Sequence, residues 1–175
     1  IRESDGTART LTGTHLLVAA GRRANVEGLG LDAAGVQADN GRIVNTNLAT
    51  TNPRISVIGD AAGGYQFTHV AEHHAGVVLR RAVFRMGWAK PSPVVPWCTY
   101  TDPELARVGL SETEAMAQGI VHKVYRFPLE DIDRARTESE TEGFAKVITN
   151  PRGKLIGAGI TAPHAGELIA EYALA

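Results

Sequence analysis

The chain has 175 residues, a length for one large domain or two small ones. Its 43% hydrophobic and 21% charged residues are ordinary for a globular protein, and a net charge of −1 offers no basic or acidic surface for a nucleic-acid partner. The single cysteine, Cys98, excludes an internal disulfide and any CxxC metal or redox pair, and no apolar run approaches the roughly 20 residues of a membrane-spanning helix.

In chain order, Ser4–Thr14 is polar and rich in Gly and Thr, which predicts an exposed hairpin leading into a strand over His15–Ala20. Gly21-Arg22-Arg23-Ala24-Asn25 breaks that strand. Val26–Val36, with scattered leucines and three glycines, reads as a packed loop or a short helical turn. Ile43–Asn45 is a short strand and Thr50–Pro53 a turn. Ile55, Val57 and Ile58 form a short β-rich run that ends in Gly59-Asp60 and is followed by a small, Gly-rich loop. From Thr68 the apolar spacing becomes helical, and Gly87 is the natural stop. The order strand, Asp, glycine loop, helix aims a helix N-terminus at a bound electronegative group. The plain alternative makes Asp60 a turn residue and Thr68 an N-cap.

Pro91, Pro93 and Pro96 shift the composition, so the domain boundary is placed at 92/93. Beyond it, Trp97–Thr101 and Arg107–Leu110 are candidate strands. Ser111 with Glu114 fits a capping box that opens a helix through Ala117. Val121–Phe127 alternates as a strand, and Leu129–Arg136 is a turn of helix or a loop. Phe144–Thr149 and Leu155–Thr161 are strands joined by a tight turn, and a helix follows Pro163. Strands joined this way imply an antiparallel sheet with helices packed on it, an α+β domain. Ile1 starts without Met and the last helix runs into Ala175 without a cap, so both ends read as cut from a longer protein.

Several motifs could carry chemistry. Gly28–Ala33 and Gly157–Ala162 both match the dinucleotide pattern GxGxx(G/A), but neither has the strand-turn-helix context that pattern needs. His69, Glu72 and His73 fit HxxEH, which supports a rival reading as a zinc hydrolase, with Glu138, Glu140 or Glu142 as a further ligand. The plain alternative puts His73 and His74 on a solvated helix face. Cys98, beside Trp97, reads as a core residue. The charged run Arg134–Glu142 reads as a solvated loop or a subunit contact.

The motifs also occur in a recognisable order: AAGRRAN (19–25), GLGLDAAGV (28–36), TTNPRISVIGDAAGG (50–64), FTHVAEH (67–73), YTDPELARVGLSETEA (100–115) and TEGFAKVITNPRGKLIGAGITAPHAGELI (141–169). Together they resemble the C-terminal half of the pyridine nucleotide-disulfide oxidoreductases, the flavoenzyme family that includes lipoamide dehydrogenase, glutathione reductase and mercuric reductase. The resemblance implies an α/β fragment of the FAD- and NAD(P)-binding domains over 1–92, followed by an α+β dimerisation domain with a mainly antiparallel sheet over 93–175. It implies FAD and NAD(P) as cofactors, a homodimer, and a disulfide or other small-molecule acceptor. Gly21 matches a glycine near the nicotinamide cofactor and Asp60 the acid that hydrogen-bonds the ribityl chain of FAD. Gln66, Phe67, Thr68 and His69 match the helix start that meets the flavin ring. The family's redox cysteines, its catalytic His and its Gly-rich fingerprints lie outside these residues, so no catalytic residue is assigned. In isolation the chain could serve as a non-catalytic dimerisation module. With no signal-peptide pattern, a cytoplasmic location is expected.

Overall fold

A computed structural model describes residues 6–175. The chain divides into two compact units, Ile1–Gly87 and Trp88–Ala175.

The first unit is built from short pieces. Strands β1 (Ala38–Asp39) and β2 (Arg42–Ile43) pair antiparallel across a turn in which Asn40 and Gly41 both have positive φ. An Asn-Gly pair adopts that conformation readily, which makes it a strong tight-hairpin signal. Strands β3 (Asn45–Thr46) and β4 (Ala49–Thr50) form a second hairpin through Asn47 and Leu48, again at positive φ. The single strand expected over Ile43–Asn45 is therefore two, separated at Val44. Ile55–Ile58 is extended, but only Ser56 forms a bridge, to Ala49, so the expected strand shrinks to one rung. A 3-10 turn over Gly59–Ala62 follows, and then helix α1 (Thr68–Ala82). Ala24, Val26, Val36, Ile43 and Val57 make a small core, with Leu31 and Ala34 packed on it from the turns that hold Gly28–Ala33.

Two expectations fail in this unit. The hairpin over Ser4–Thr14 lies partly outside the described residues, and among residues 6–14 only Ala8 takes part in a bridge. His15–Ala20 forms no strand, and Leu16 and Leu17 are almost fully exposed. An apolar run needs a neighbouring strand to satisfy its backbone, and none lies beside it among the described residues. Helix α1 also stops short of Gly87. Arg85 takes the left-handed conformation at φ 55, and the Met86 amide folds back on the Arg80 carbonyl at 3.1 Å, so the chain leaves the helix before Gly87.

The second unit is one five-stranded antiparallel sheet. Its strands are β5 (Trp97–Thr99), β6 (Glu104–Gly109), β7 (Lys123–Pro128), β8 (Phe144–Thr149) and β9 (Leu155–Ala162), in the spatial order β5-β6-β9-β8-β7. Alternation puts Ala106 and Val108 of β6 and Ala158, Ile160 and Ala162 of β9 on one face. There they pack with Ala165 and Ile169 of helix α4 (Ala165–Leu174). Small residues let the chain pass closely at one end of β9: a Cβ on Gly157 would lie 1.9 Å from the Leu110 carbonyl oxygen. Gly157–Ala162 thus lies within β9, a sheet strand rather than a phosphate loop.

The capping box forms as expected at helix α2 (Glu112–Ala117). Ser111 Oγ accepts from the Glu114 amide at 3.1 Å and Glu114 Oε2 from the Ser111 amide at 2.8 Å. The charged run is part helix and part loop: helix α3 (Asp133–Glu138) carries an Arg134–Glu138 ion pair one turn apart and buries Ala135, and 139–142 is exposed loop.

Candidate functional site

The site predicted around Asp60 starts from a buried anchor, Val57, after which the chain turns sharply. Gly59 has φ +62, and a Cβ there would come within 3.1 Å of the Ala71 Cβ, so the turn lies hard against α1. Glycine meets both demands, positive φ and close approach. The Gly63 amide closes the turn on the Asp60 carbonyl at 3.1 Å. Asn45 fixes it from the other side. Its Nδ2 donates to the Ala62 carbonyl at 2.9 Å and the Ile43 carbonyl at 3.0 Å, and its Oδ1 accepts from the Leu48 amide at 3.2 Å. One amide side chain therefore ties the second hairpin to the loop that presents Asp60.

Asp60 itself is partly exposed. Its Oδ2 lies 3.2 Å from Arg22 Nη2. Gly21, at φ +105, immediately precedes that arginine. The structure thereby brings the Gly21 segment and Asp60, 39 positions apart in sequence, to one place. Arg22 was not among the expected site residues. Its only signal in the sequence is its place beside Gly21.

Helix α1 begins without a side-chain cap. Phe67, not Thr68, occupies the N-cap position in extended conformation, and Thr68 is the first helical residue. The Phe67 carbonyl takes the amides of Val70 (3.1 Å) and Ala71 (3.2 Å). The Thr68 N–H is left pointing out of the helix start, at the positive end of a 15-residue helix dipole. The rings of Tyr65, Phe67 and His69 stack in sequence at 6.0 and 5.4 Å between centroids. Gln66–His69 thus lead into the helix on an aromatic row.

His74 is a further departure. It is 8% exposed, not on a solvated face. Its Nδ1 accepts from the Gly59 amide at 3.2 Å. Burial, with the neighbouring His73 as a smaller cause, holds its pKa below the ordinary 6.5. The sequence did carry a signal: Val70, His74 and Val77 are spaced four and three apart, the stripe a helix turns inward. As for the zinc reading, His69 and Glu72 are exposed, and among the described residues no group of three His, Cys, Asp or Glu gathers as a metal site.

In the second unit, Cys98 is half-buried against the core. The Glu104 Oε2 lies 3.7 Å from its Sγ and also accepts from the Gly166 amide at 2.9 Å. Glu104 thus caps α4, whose N-cap residue His164 makes no side-chain cap bond. Burial first, then the Glu104 charge and hydrogen bond, raise the Cys98 thiol pKa, the opposite of what a reactive thiolate needs. An apolar cleft of about 370 Å³ opens between Val108, Ile156 and Tyr172.

An acid on a tight turn, a bare helix start beside it and an antiparallel α+β domain are what the first-unit motifs and the second-unit strand pattern led to. Comparison with known proteins bears on the family and the two domains. Residues 2–75 match the pyridine nucleotide-disulphide oxidoreductase domain and residues 95–175 that family's dimerisation domain. The chain belongs to the pyridine nucleotide-disulphide oxidoreductase family. It is 37% identical to the dihydrolipoyl dehydrogenase of Bacillus subtilis over 99% of this chain and 37% of the relative, and 39% identical to the mitochondrial dihydrolipoyl dehydrogenase of Canis lupus familiaris over 98% and 34%. Among solved structures it is similar to LpdA from Mycobacterium tuberculosis, with a TM-score of 0.88 at 29% identity over 98% of this chain and 38% of that one. It is also similar to the HOCl-induced flavoprotein disulfide reductase RclA from Escherichia coli, at 0.76, 28%, 89% and 37%. The chain thus spans little more than a third of the length of the curated relatives it matches. Among the described residues no helix is long and apolar enough to cross a membrane.

Proposed function

We propose that the chain supplies one wall of the flavin site and the dimerisation domain of a FAD- and NAD(P)-dependent, dihydrolipoamide dehydrogenase-like oxidoreductase. The observation that carries this reading is the pairing of an accessible carboxylate on the Gly59–Ala62 turn with an uncapped helix start a few residues on. The residues present fit the cofactor. Asp60 is an acceptor for a ribityl hydroxyl. The Thr68 N–H, at the positive end of α1, suits the pyrimidine edge of the flavin, where negative charge collects on reduction. Gln66, Phe67 and His69 would line that edge, and Gly21 would lie on the nicotinamide side.

When bound, the flavin supplies the electron transfer that links NAD(P)H to a disulfide or other acceptor. This chain's own residues bind and orient. Asp60 would hold a ribityl hydroxyl, the helix start would polarise one edge of the ring, and no residue here is assigned a covalent or acid–base step. The relatives' names favour a disulfide acceptor of the lipoamide kind. Residues 1–92 and 93–175 are taken as the cofactor-binding and interface portions, the latter forming a homodimer, and a cytoplasmic location goes with this reading.

FAD titration of the chain, followed by quenching of flavin fluorescence, tests the reading. Binding that weakens about tenfold or more in Asp60→Ala, from loss of one charge-assisted hydrogen bond, supports it. Equal binding by both proteins, or none by the wild type, counts against it.

A further inference from the structure

We propose that His74 is a positioning residue: its neutral ring, accepting at Nδ1, holds in place the turn that carries Asp60. For its functional consequence the inference rests on the reading of Asp60 as a flavin-binding residue, but the contact itself does not.

The geometry is specific. The Gly59 amide, one residue before Asp60, donates to His74 Nδ1 at 3.2 Å from within a buried position. The same glycine is pressed against Ala71 on the preceding turn of α1, and its φ of +62 is open to few other residues. The turn has no slack toward the helix, and its first N–H is directed into the ring. A neutral imidazole accepts there only as the Nε2–H tautomer. A protonated ring places a donor against a donor, and the turn must move.

The charges around the ring are few. His73 adjoins it on α1, with the ring centroids 6.4 Å apart. Arg81, two turns on, reaches the Asn47 carbonyl at 2.6 Å. The 3-10 turn brings Asp60, whose carboxylate faces Arg22. The β3–β4 hairpin that receives Arg81 has no ionisable side chain. Among the described residues no carboxylate lies in hydrogen-bond reach to favour the protonated ring, consistent with the lowered pKa. The sign follows. From 6.5 down to the lowered value the unfolded chain binds the proton more readily, so stability is full above that window and falls as pH falls through it.

The test is an NMR titration of the 175-residue chain and of its His74→Asn and His74→Leu variants, from about pH 8 to about pH 5. Asn places an acceptor oxygen near the Nδ1 position but cannot titrate. The expected result is a His74 Nε2–H tautomer titrating below 6.5, with the Gly59 and Asp60 amide signals moving along the same curve. In His74→Asn those amides should keep their high-pH positions throughout, and in His74→Leu they should shift at every pH. A parallel FAD titration should show wild-type affinity falling about tenfold across the same window, with His74→Asn flat. The proposal is overturned if the Gly59 amide ignores the His74 titration, if it sits at its random-coil position throughout, or if His74→Asn titrates like the wild type. Absence of FAD binding with the amide coupling intact would count against the flavin reading alone.

Discussion

The two units are held together by different means. The second has a continuous sheet of five paired strands and a core in which β6, β9 and α4 bury a contiguous set of aliphatic side chains. The first has two-residue strands, a core of five small and medium side chains, and hydrogen bonds between backbone and the side chains of Asn45, Asn52 and Thr51, which donate, and His74, which accepts. Burial scales with area and tolerates exchange of one aliphatic residue for another. Clamps of this kind depend on single atoms. A scaffold built by burial suits an interface domain, whereas a loop pinned by individual hydrogen bonds suits placing a carboxylate. Mutations should separate the two.

The largest effect is expected where backbone would meet backbone. Gly157→Ala sets a methyl 1.9 Å from the Leu110 carbonyl oxygen, so denaturant melts should show a loss of about 3 kcal/mol or more, or no folded protein. Ile169→Ala empties part of the second-unit core and should cost about 2–4 kcal/mol, with the Gly59–Ala62 turn unaffected by NMR. Asn45→Ala removes three hydrogen bonds. It should cost about 1–3 kcal/mol and, unlike Ile169→Ala, displace the Asp60 signals.

Glu104→Gln weakens the α4 cap by about 1 kcal/mol. It also removes the charge that helps raise the Cys98 pKa, so thiol alkylation at fixed pH should speed up. An unchanged alkylation rate would contradict the Glu104–Cys98 contact. The smallest effect is Arg22→Ala. The pair with Asp60 is mostly exposed on the arginine side, so stability should change by under about 0.5 kcal/mol. A larger loss would mean that Arg22 is part of the turn's framework.

The second unit was the more legible from sequence because its signals are local and periodic. Ser111 and Glu114 predicted their own capping box, and Asn150–Lys154 predicted the β8–β9 hairpin. What could not be read there is the cap on α4, because Glu104 and Gly166 are 62 positions apart and meet only after β6 and β9 pair. In the first unit the motif order identified the family and pointed to Asp60. Local pattern overestimated strands: His15–Ala20 has the composition of a strand but no partner among the described residues, and composition does not supply one. The helix stop was misplaced because Arg85 adopts the left-handed conformation that glycine more often takes. His74 was read by its chemistry rather than its spacing, and the spacing was the better guide.

On the function proposed above, Asp60 and the start of α1 together receive a flavin. A crystal structure with FAD bound tests it most directly. The ribityl chain is expected within hydrogen-bond distance of the Asp60 carboxylate, with the Arg22 contact released or shared, and the Thr68 N–H facing the flavin's pyrimidine edge. FAD bound elsewhere, with the Arg22–Asp60 pair intact, would contradict it.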